Sequence, residues 1–189
     1  MEVFTQLFVG ACWIFFLVYW VIGARATKKT NERQSRSTEA IYRLPLIIGI
    51  LFFEVPIKAL PWNYIVFPHV LVLQVLVMIL CVLGLAGAIW ARRTLAKNWS
   101  SDVTFKEDHE LVERGPYHFV RHPIYTSLLL MFLASTIMIG RLSTIIGFVM
   151  LGVSFILKLK QEEKMMLKHF PNEYEGYRSR VKTLVPFVW

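Results

Sequence analysis

Apolar residues come in blocks along this chain. Runs cover about 3–22, 44–60, 65–90, 124–139 and 142–157, with polar stretches between them. A hydrocarbon core about 30 Å thick takes about 20 helical residues, with a range of about 17–25. Each run therefore predicts a membrane helix. The expected fold class is all-α, a polytopic membrane protein with about five transmembrane helices. The second run is short and interrupted, since it holds Pro45, Glu54, Pro56 and Lys58.

The last two runs are separated only by Gly140 and Arg141. Helices joined by so short a turn are antiparallel neighbours. The fifth run passes directly into "KLKQEEKMMLKHFPNEYEGYRSRVK". There Met166, Phe170, Tyr174, Tyr177 and Val181 recur at helical spacing on one face. Pro171 suits the first turn of a restarted helix. The tail reads as a C-terminal amphipathic cytosolic helix, folded back on the membrane surface or on the loop 91–122. Two regions are expected: an N-terminal transmembrane region of three spans, 1–90, and a core, 91–189, made of a cytosolic loop, the helical hairpin and the tail.

Composition sharpens this picture. Hydrophobic residues make up 56% of the 189 residues, too many for an ordinary soluble domain. A net charge of +8 suggests nucleic acid at first sight, but the basic residues flank apolar runs, where membrane topology puts them. No nucleic-acid partner is expected. Five spans place the loop 23–43, the loop 91–122 and the tail on one side. All of the 21 Lys and Arg except Lys58 and Arg141 fall there. The positive-inside rule then puts the N-terminus outside and the C-terminus in the cytosol. The first run carries Glu2 and no Lys or Arg on its N-terminal flank, so it reads as a span rather than a cleaved secretory signal. Cys12 and Cys81 lie inside apolar runs and read as small buried hydrophobes. No disulfide or metal framework is expected.

Two polar clusters carry the chemistry. "RGPYHFVRHPIYTS" (114–127) enters the fourth span, and "KLKQEE" (158–163) leaves the fifth. The hairpin at Gly140 brings the two together, so Arg121, His122, Tyr125, Lys158, Glu162 and Glu163 meet at one membrane face. Singly, such residues suit a basic flank, an aromatic belt or a solvated helix end. Glu162 and Glu163 fit those roles poorly. Carboxylates at a cytosolic helix C-terminus oppose the helix dipole and any anionic lipid surface, so they point to a cationic partner. Lys158 and Glu162 are four residues apart and share a face, giving a pocket there one positive and one negative handle.

"WS…DHELVERGPYHFVRHPIY", followed one hairpin later by "EEKMMLKHFPNEYEGYRSRVKTLVP", resembles the isoprenylcysteine carboxyl methyltransferase family. That family belongs to a wider group of membrane methyltransferases that includes phospholipid N-methyltransferases. The resemblance covers roughly residues 90–187, and the N-terminal half matches only in having spans. It implies S-adenosyl-L-methionine as methyl donor, with S-adenosyl-L-homocysteine as product, bound in a cytosol-facing pocket. Contacts are implied at His109, Glu110, Leu111, Val112, Tyr117, His122, Pro123, Ile124, Tyr125 and Glu162, with Glu162 and Lys158 as catalytic residues. The acceptor would be a lipophilic small molecule or lipid-modified substrate entering from the bilayer, and membrane lipids would be partners. No Gly-rich strand-to-helix loop is present, in keeping with a pocket unlike the soluble dinucleotide type.

The residues suit such a donor. Glu162 can pair with its ammonium, and the faces of Tyr117 or Tyr125 suit a sulfonium or adenine. In-line methyl transfer draws most of its rate from positioning. A carboxylate acceptor needs no base, whereas an amine or thiol would need one, with His122 or Glu163 as candidates. Prenylcysteine-methylating members carry an arginine where this chain has Lys158. Lysine keeps the charge but loses the two-pronged geometry, so a prenylcysteine, a phospholipid amine and a small lipophilic acid all stay open. Two other classes compete. A sterol-reductase-like membrane reductase would want Arg and Lys around the 2′-phosphate of NADPH, against which Glu162 and Glu163 argue. A non-enzymatic scaffold leaves the clustered Tyr, His and Glu without a role. Elsewhere, Glu54 suits either a functional ionisable group in a span or, beside Pro56 and Lys58, a place at the outer interface, Gln74 suits a helix–helix hydrogen bond, and Asn98, Trp99 and Ser100 suit either a pocket floor or an interfacial turn.

Overall fold

The computed structural model describes residues 1–24, 30–54, 61–99, 103–106 and 111–188. The chain is mostly helical. Its elements are α1 (Glu2–Ala24), a short strand β1 (Thr30–Arg33), α2 (Arg36–Glu54), α3 (Leu71–Leu95), β2 (Thr104–Lys106), α4 (Pro123–Ile139), α5 (Leu142–His169) and α6 (Pro171–Arg180). Helices α1, α3 and α5 are long and apolar enough to cross a membrane, and α4 is a shorter apolar helix. The fold is that of an integral membrane protein.

Two helix starts differ from the hydropathy pattern. Helix α2 begins at Arg36, eight residues before the apolar run. The hydroxyl of Ser35 accepts a hydrogen bond from the Thr38 N–H at 3.3 Å, an N-cap that starts a helix in polar sequence. Glu39 and Arg43, one turn apart, pair at 3.0 Å. Pro45 is accommodated inside this helix, and Glu54 is its exposed last residue rather than an interior group. Helix α3 begins only at Leu71. The residue before a proline avoids the helical region, so Pro68 keeps Phe67 out of a helix. Residues 62–67 instead dock on the hairpin turn: Val66 N–H donates to the Gly140 carbonyl at 2.7 Å and Leu142 N–H to the Tyr64 carbonyl at 2.9 Å.

That turn holds the molecule's main device. Gly140 has a left-handed backbone, and a Cβ there would lie 2.7 Å from the Phe67 carbonyl oxygen, so only glycine fits. Helices α4 and α5 leave it as an antiparallel pair. Helix α4 packs chiefly on α3, and α5 on α2. Small residues permit close backbone approach at both contacts. A Cβ on Gly84 would sit 2.7 Å from the Ser127 carbonyl, and one on Gly49 would sit 3.0 Å from the Gly147 carbonyl. The core between α1, α3 and α4 gathers Val9, Phe16, Val77, Met131 and Ala134, together with the free thiols Cys12 and Cys81. Gln74 does join two helices: its side-chain oxygen accepts from the Thr5 hydroxyl of α1 at 3.4 Å.

Helix α5 continues well past the apolar run, and Pro171 starts α6. The tail packs on the loop before α4. Tyr174, Tyr177 and Val181 are buried against Leu111, Met166 and Phe170, and the Tyr177 hydroxyl donates to the Tyr117 carbonyl at 2.5 Å. Beyond α6 the chain runs beside the entrance to α4, where the N–H groups of Arg121 and His122 donate to the Lys182 and Thr183 carbonyls at 2.8 and 3.1 Å. A two-stranded antiparallel ladder, β1 with β2, joins the two polar loops. These strands of four and three residues are too short to show in periodicity.

Candidate functional site

The two polar clusters meet at the open end of the α4–α5 hairpin, around a cavity of about 290 Å³. This is near the lower end of the range for small-molecule sites, about 300–1,000 Å³. Helix α4 starts at Pro123, with the proline at a position where its missing N–H costs nothing. The preceding residue, His122, is thereby turned toward the C-terminal half of α5. Its Nδ1 lies 3.5 Å from Glu162 Oε2 and its Nε2 lies 3.3 Å from Glu163 Oε1. One turn on, the Tyr125 hydroxyl donates to Glu162 Oε1. The rings of His122, Tyr125 and Phe155 form a stacked column, with centroids 5.7 and 5.1 Å apart. Behind it, Glu163 accepts from Arg121 Nε at 2.8 Å.

Of the residues expected at a site, Leu111, Val112, Tyr117, His122, Ile124, Tyr125, Lys158 and Glu162 line the cavity. Pro123 is buried at the head of α4 and acts through its neighbours, being absent from the described lining. His109, Glu110 and Ser100 lie outside the described residues. Asn98 and Trp99 line the cavity, so their residues serve as pocket floor. The sequence reading missed Trp20 of α1, Phe155, Met165 and Met166 of α5, and Tyr174 and Tyr177 of α6. The tail's helical stripe could have suggested Tyr174 and Tyr177. Trp20 looks like any interfacial tryptophan. Its ring lies edge-on to Trp99, 5.4 Å between centroids, while the Arg92 guanidinium covers Trp99 at 4.3 Å.

The electrostatics fix protonation states. Burial pulls the His122 imidazole down, but its hydrogen bonds to Glu162 and Glu163, and their charges, outweigh this and hold it above the ordinary 6.5. Burial, and then the charge of Glu162, pushes the Tyr117 phenol well up. Burial also raises Tyr174 and Tyr177, helped by Glu163 and Glu113 respectively. These phenols stay protonated at neutral pH and donate hydrogen bonds. A carboxylate at each nitrogen favours the imidazolium form of His122 and weakens it as a base. Among the described residues no group of three or more His, Cys, Asp or Glu could hold a metal ion.

A pH dependence follows. The raised His122 value means that its pairing stabilises the fold fully below the unfolded value and is lost as pH rises through the folded value. The melting temperature in detergent should therefore fall as pH is raised from about 6.5 through the alkaline range. The variant His122→Gln should flatten that dependence. A wild-type profile that rises over the same range would contradict the assignment of His122 as a cation.

Comparison with known proteins bears on this site. A sequence model described as the isoprenylcysteine carboxyl methyltransferase family matches residues 75–168. The protein-S-isoprenylcysteine O-methyltransferase of Saccharomyces cerevisiae is 30% identical over 60% of this chain and 49% of its own length. That of Schizosaccharomyces pombe is 31% identical over 43% of this chain and 35% of its own. A probable protein-S-isoprenylcysteine O-methyltransferase of Oryza sativa subsp. japonica is 29% identical over 46% of each chain. The matches thus span from about a third to about half of these relatives. The solved structure of a eukaryotic intramembrane Ras methyltransferase, an isoprenylcysteine carboxyl methyltransferase, shares the fold. Its TM-score is 0.54 at 22% identity, over 82% of this chain and 55% of that one.

Proposed function

We propose that the chain, whose residues 75–168 match the isoprenylcysteine carboxyl methyltransferase family, is a member of that family and an integral membrane methyltransferase. It uses S-adenosyl-L-methionine as donor and acts on a lipophilic acceptor that carries a carboxylate. The observation that carries this reading is the presence of both Glu162 and Lys158, one helical turn apart, on the wall of a cavity rich in aromatic side chains. Such a wall presents one anionic and one cationic handle at fixed separation. The relatives' names speak of S-isoprenylcysteine, and a prenylated cysteine with a free carboxylate is the acceptor we favour.

The residues fit the donor. Glu162 offers a carboxylate to its ammonium, and the rings of Tyr125 and Trp99 offer faces for a sulfonium or a purine. Among the described residues the buried side-chain oxygen of Asn98 beside the cavity has no hydrogen-bond partner, and it suits an incoming N–H. When bound, S-adenosylmethionine supplies an electrophilic methyl group. The protein's part is to orient: Tyr125 and His122 hold Glu162 still, and the aromatic column excludes water. The phenols stay protonated and His122 is biased toward its cation, so neither is well suited to act as a base. A carboxylate acceptor, already ionised, requires none.

We place the machinery in the C-terminal core, 91–189, carried by a three-span N-terminal region, 1–90. The same reading crosses the membrane five times, with the N-terminus outside. It sets the cavity and an amphipathic α6 at the cytosolic face, because the basic residues collect there. Bilayer lipids then surround the apolar helices, and the acceptor enters from among them.

The test is ligand-dependent melting of the detergent-purified protein. S-adenosylmethionine and S-adenosylhomocysteine should raise the transition, by about 2.7 kcal/mol at 100 times the dissociation constant. NADPH should leave it unmoved. Labelled methyl should transfer to an S-prenylated N-acetylcysteine and not to its carboxamide. No shift with either adenosyl ligand at millimolar concentration would overturn the proposal.

A further inference from the structure

Lys158 is the cationic handle of the cavity, yet a lysine head on a flexible stem is a poorly aimed charge. Its surroundings supply the aim. The ammonium lies 5.7 Å from the ring centroid of Tyr125 on α4 and 5.7 Å from that of Tyr42 on α2. Both distances are within the roughly 6 Å reach of a cation–π contact. Neither ring is loose. Tyr125 is held by its hydrogen bond to Glu162 and its stack on Phe155. Tyr42 is 3% exposed and packs with Val103 and Met165. Its carbonyl accepts a hydrogen bond from the Ser154 hydroxyl at 2.7 Å. Ser154 lies one turn before Lys158 on the same helix, so this bond locks α2 to α5 beside the lysine stem.

We infer that Tyr42 is a positioning residue for acceptor recognition: with Tyr125 it clamps the Lys158 ammonium toward the cavity, where it takes the acceptor's carboxylate. This rests on the proposed reading of Lys158 as the anion-binding group. Tyr42 lies outside the segment 75–168, so the N-terminal region contributes to specificity through it. The clamp restores direction to a charge that lacks the planar fork of arginine. The ring face carries the effect and the hydroxyl does not, which separates Tyr42→Phe from Tyr42→Leu.

The experiment has two arms. In the first, KM is measured for an S-prenylated N-acetylcysteine and for S-adenosylmethionine, with inhibition by the acceptor's carboxamide alongside. Tyr42→Leu should raise the acceptor KM by about threefold to thirtyfold. It should leave the donor KM and the carboxamide inhibition within about twofold, and Tyr42→Phe should behave as wild type. A merely structural role would move all three constants together. Equal effects on carboxylate and carboxamide, or a Tyr42→Leu enzyme with an unchanged acceptor KM, would overturn the inference. The second arm needs no turnover. The rate of Lys158 modification by an amine-reactive reagent at fixed pH, read by mass spectrometry, should rise in Tyr42→Leu and not in Tyr42→Phe. An unchanged rate overturns the clamp. A raised rate in a protein that fails to bind the acceptor retains the clamp and discards the acceptor reading.

Discussion

Glu162→Gln is expected to abolish stabilisation by S-adenosylmethionine and S-adenosylhomocysteine while leaving the unliganded protein folded. Glu162 sits on the cavity wall, and its two oxygens face Tyr125 and His122. Losing one partner of a buried, hydrogen-bonded charge pair costs about 2–5 kcal/mol of binding, or a factor of about 30 to several thousand in dissociation constant. The amide keeps shape and can still accept from Tyr125. It also turns a donor toward His122, which already donates, so some loss of stability accompanies the loss of binding. Glu163→Gln is the control. Glu163 pairs with Arg121 and His122 but is not among the described lining residues. Its loss should lower the melting temperature more than it lowers adenosyl affinity. If Glu162→Gln binds both adenosyl ligands like wild type, Glu162 is removed from the site. If Glu163→Gln loses binding more than stability, the roles of the two carboxylates are exchanged.

The distinction between these neighbours could not be seen in the sequence, and the reason is geometric. Adjacent residues on a helix point about 100° apart, so only one of Glu162 and Glu163 can face a given partner squarely. His122 reaches both because it lies between them, one ring nitrogen to each. What could be seen was the hairpin. Two residues at Gly140 cannot join helices other than antiparallel neighbours, so "RHPIY" and "KLKQEE" had to meet, and they do. Hydropathy also located α4 almost to the residue, because Pro123 starts it and Gly140 ends it.

Hydropathy failed where polar or extended segments took their structure from partners rather than composition. The polar start of α2 depends on Ser35, and the extended strip before α3 depends on the Gly140 carbonyl. Tyr42 escaped notice for the first of these reasons. It lies in a stretch read as loop, and only the early start of α2 carries it to the side of Lys158. Trp20 escaped because nothing along the chain tells an interfacial tryptophan from one that walls a cavity.

Arg121→Met should be the most destabilising single change around the site. The side chain is 7% exposed, and its partner Glu163 is 12% exposed. The guanidinium donates to Glu163, to the carbonyls of Arg178 and Val181, and to the Thr183 hydroxyl at 2.8 Å. One side chain thus ties α4, α5 and the segment after α6 together. Removing it leaves a buried carboxylate half-paired and several acceptors without donors. Breaking a buried pair in this way costs about 3–5 kcal/mol. Lysine should rescue little, since one ammonium cannot span a fork of partners. The double variant Arg121→Met with Glu163→Met should be less damaged than the two single losses added together, because it removes both members of the pair. Trypsin offers a local readout. Arg178, Arg180 and Lys182 are already exposed, but release of the tail would free their backbone to enter a protease, so cleavage there should accelerate in Arg121→Met before the helices melt. A variant with wild-type melting and unchanged cleavage would mean that the backbone bonds from Arg121 and His122 to Lys182 and Thr183 suffice to hold the tail. Arg121 would then be open to a role in the cavity that it also touches.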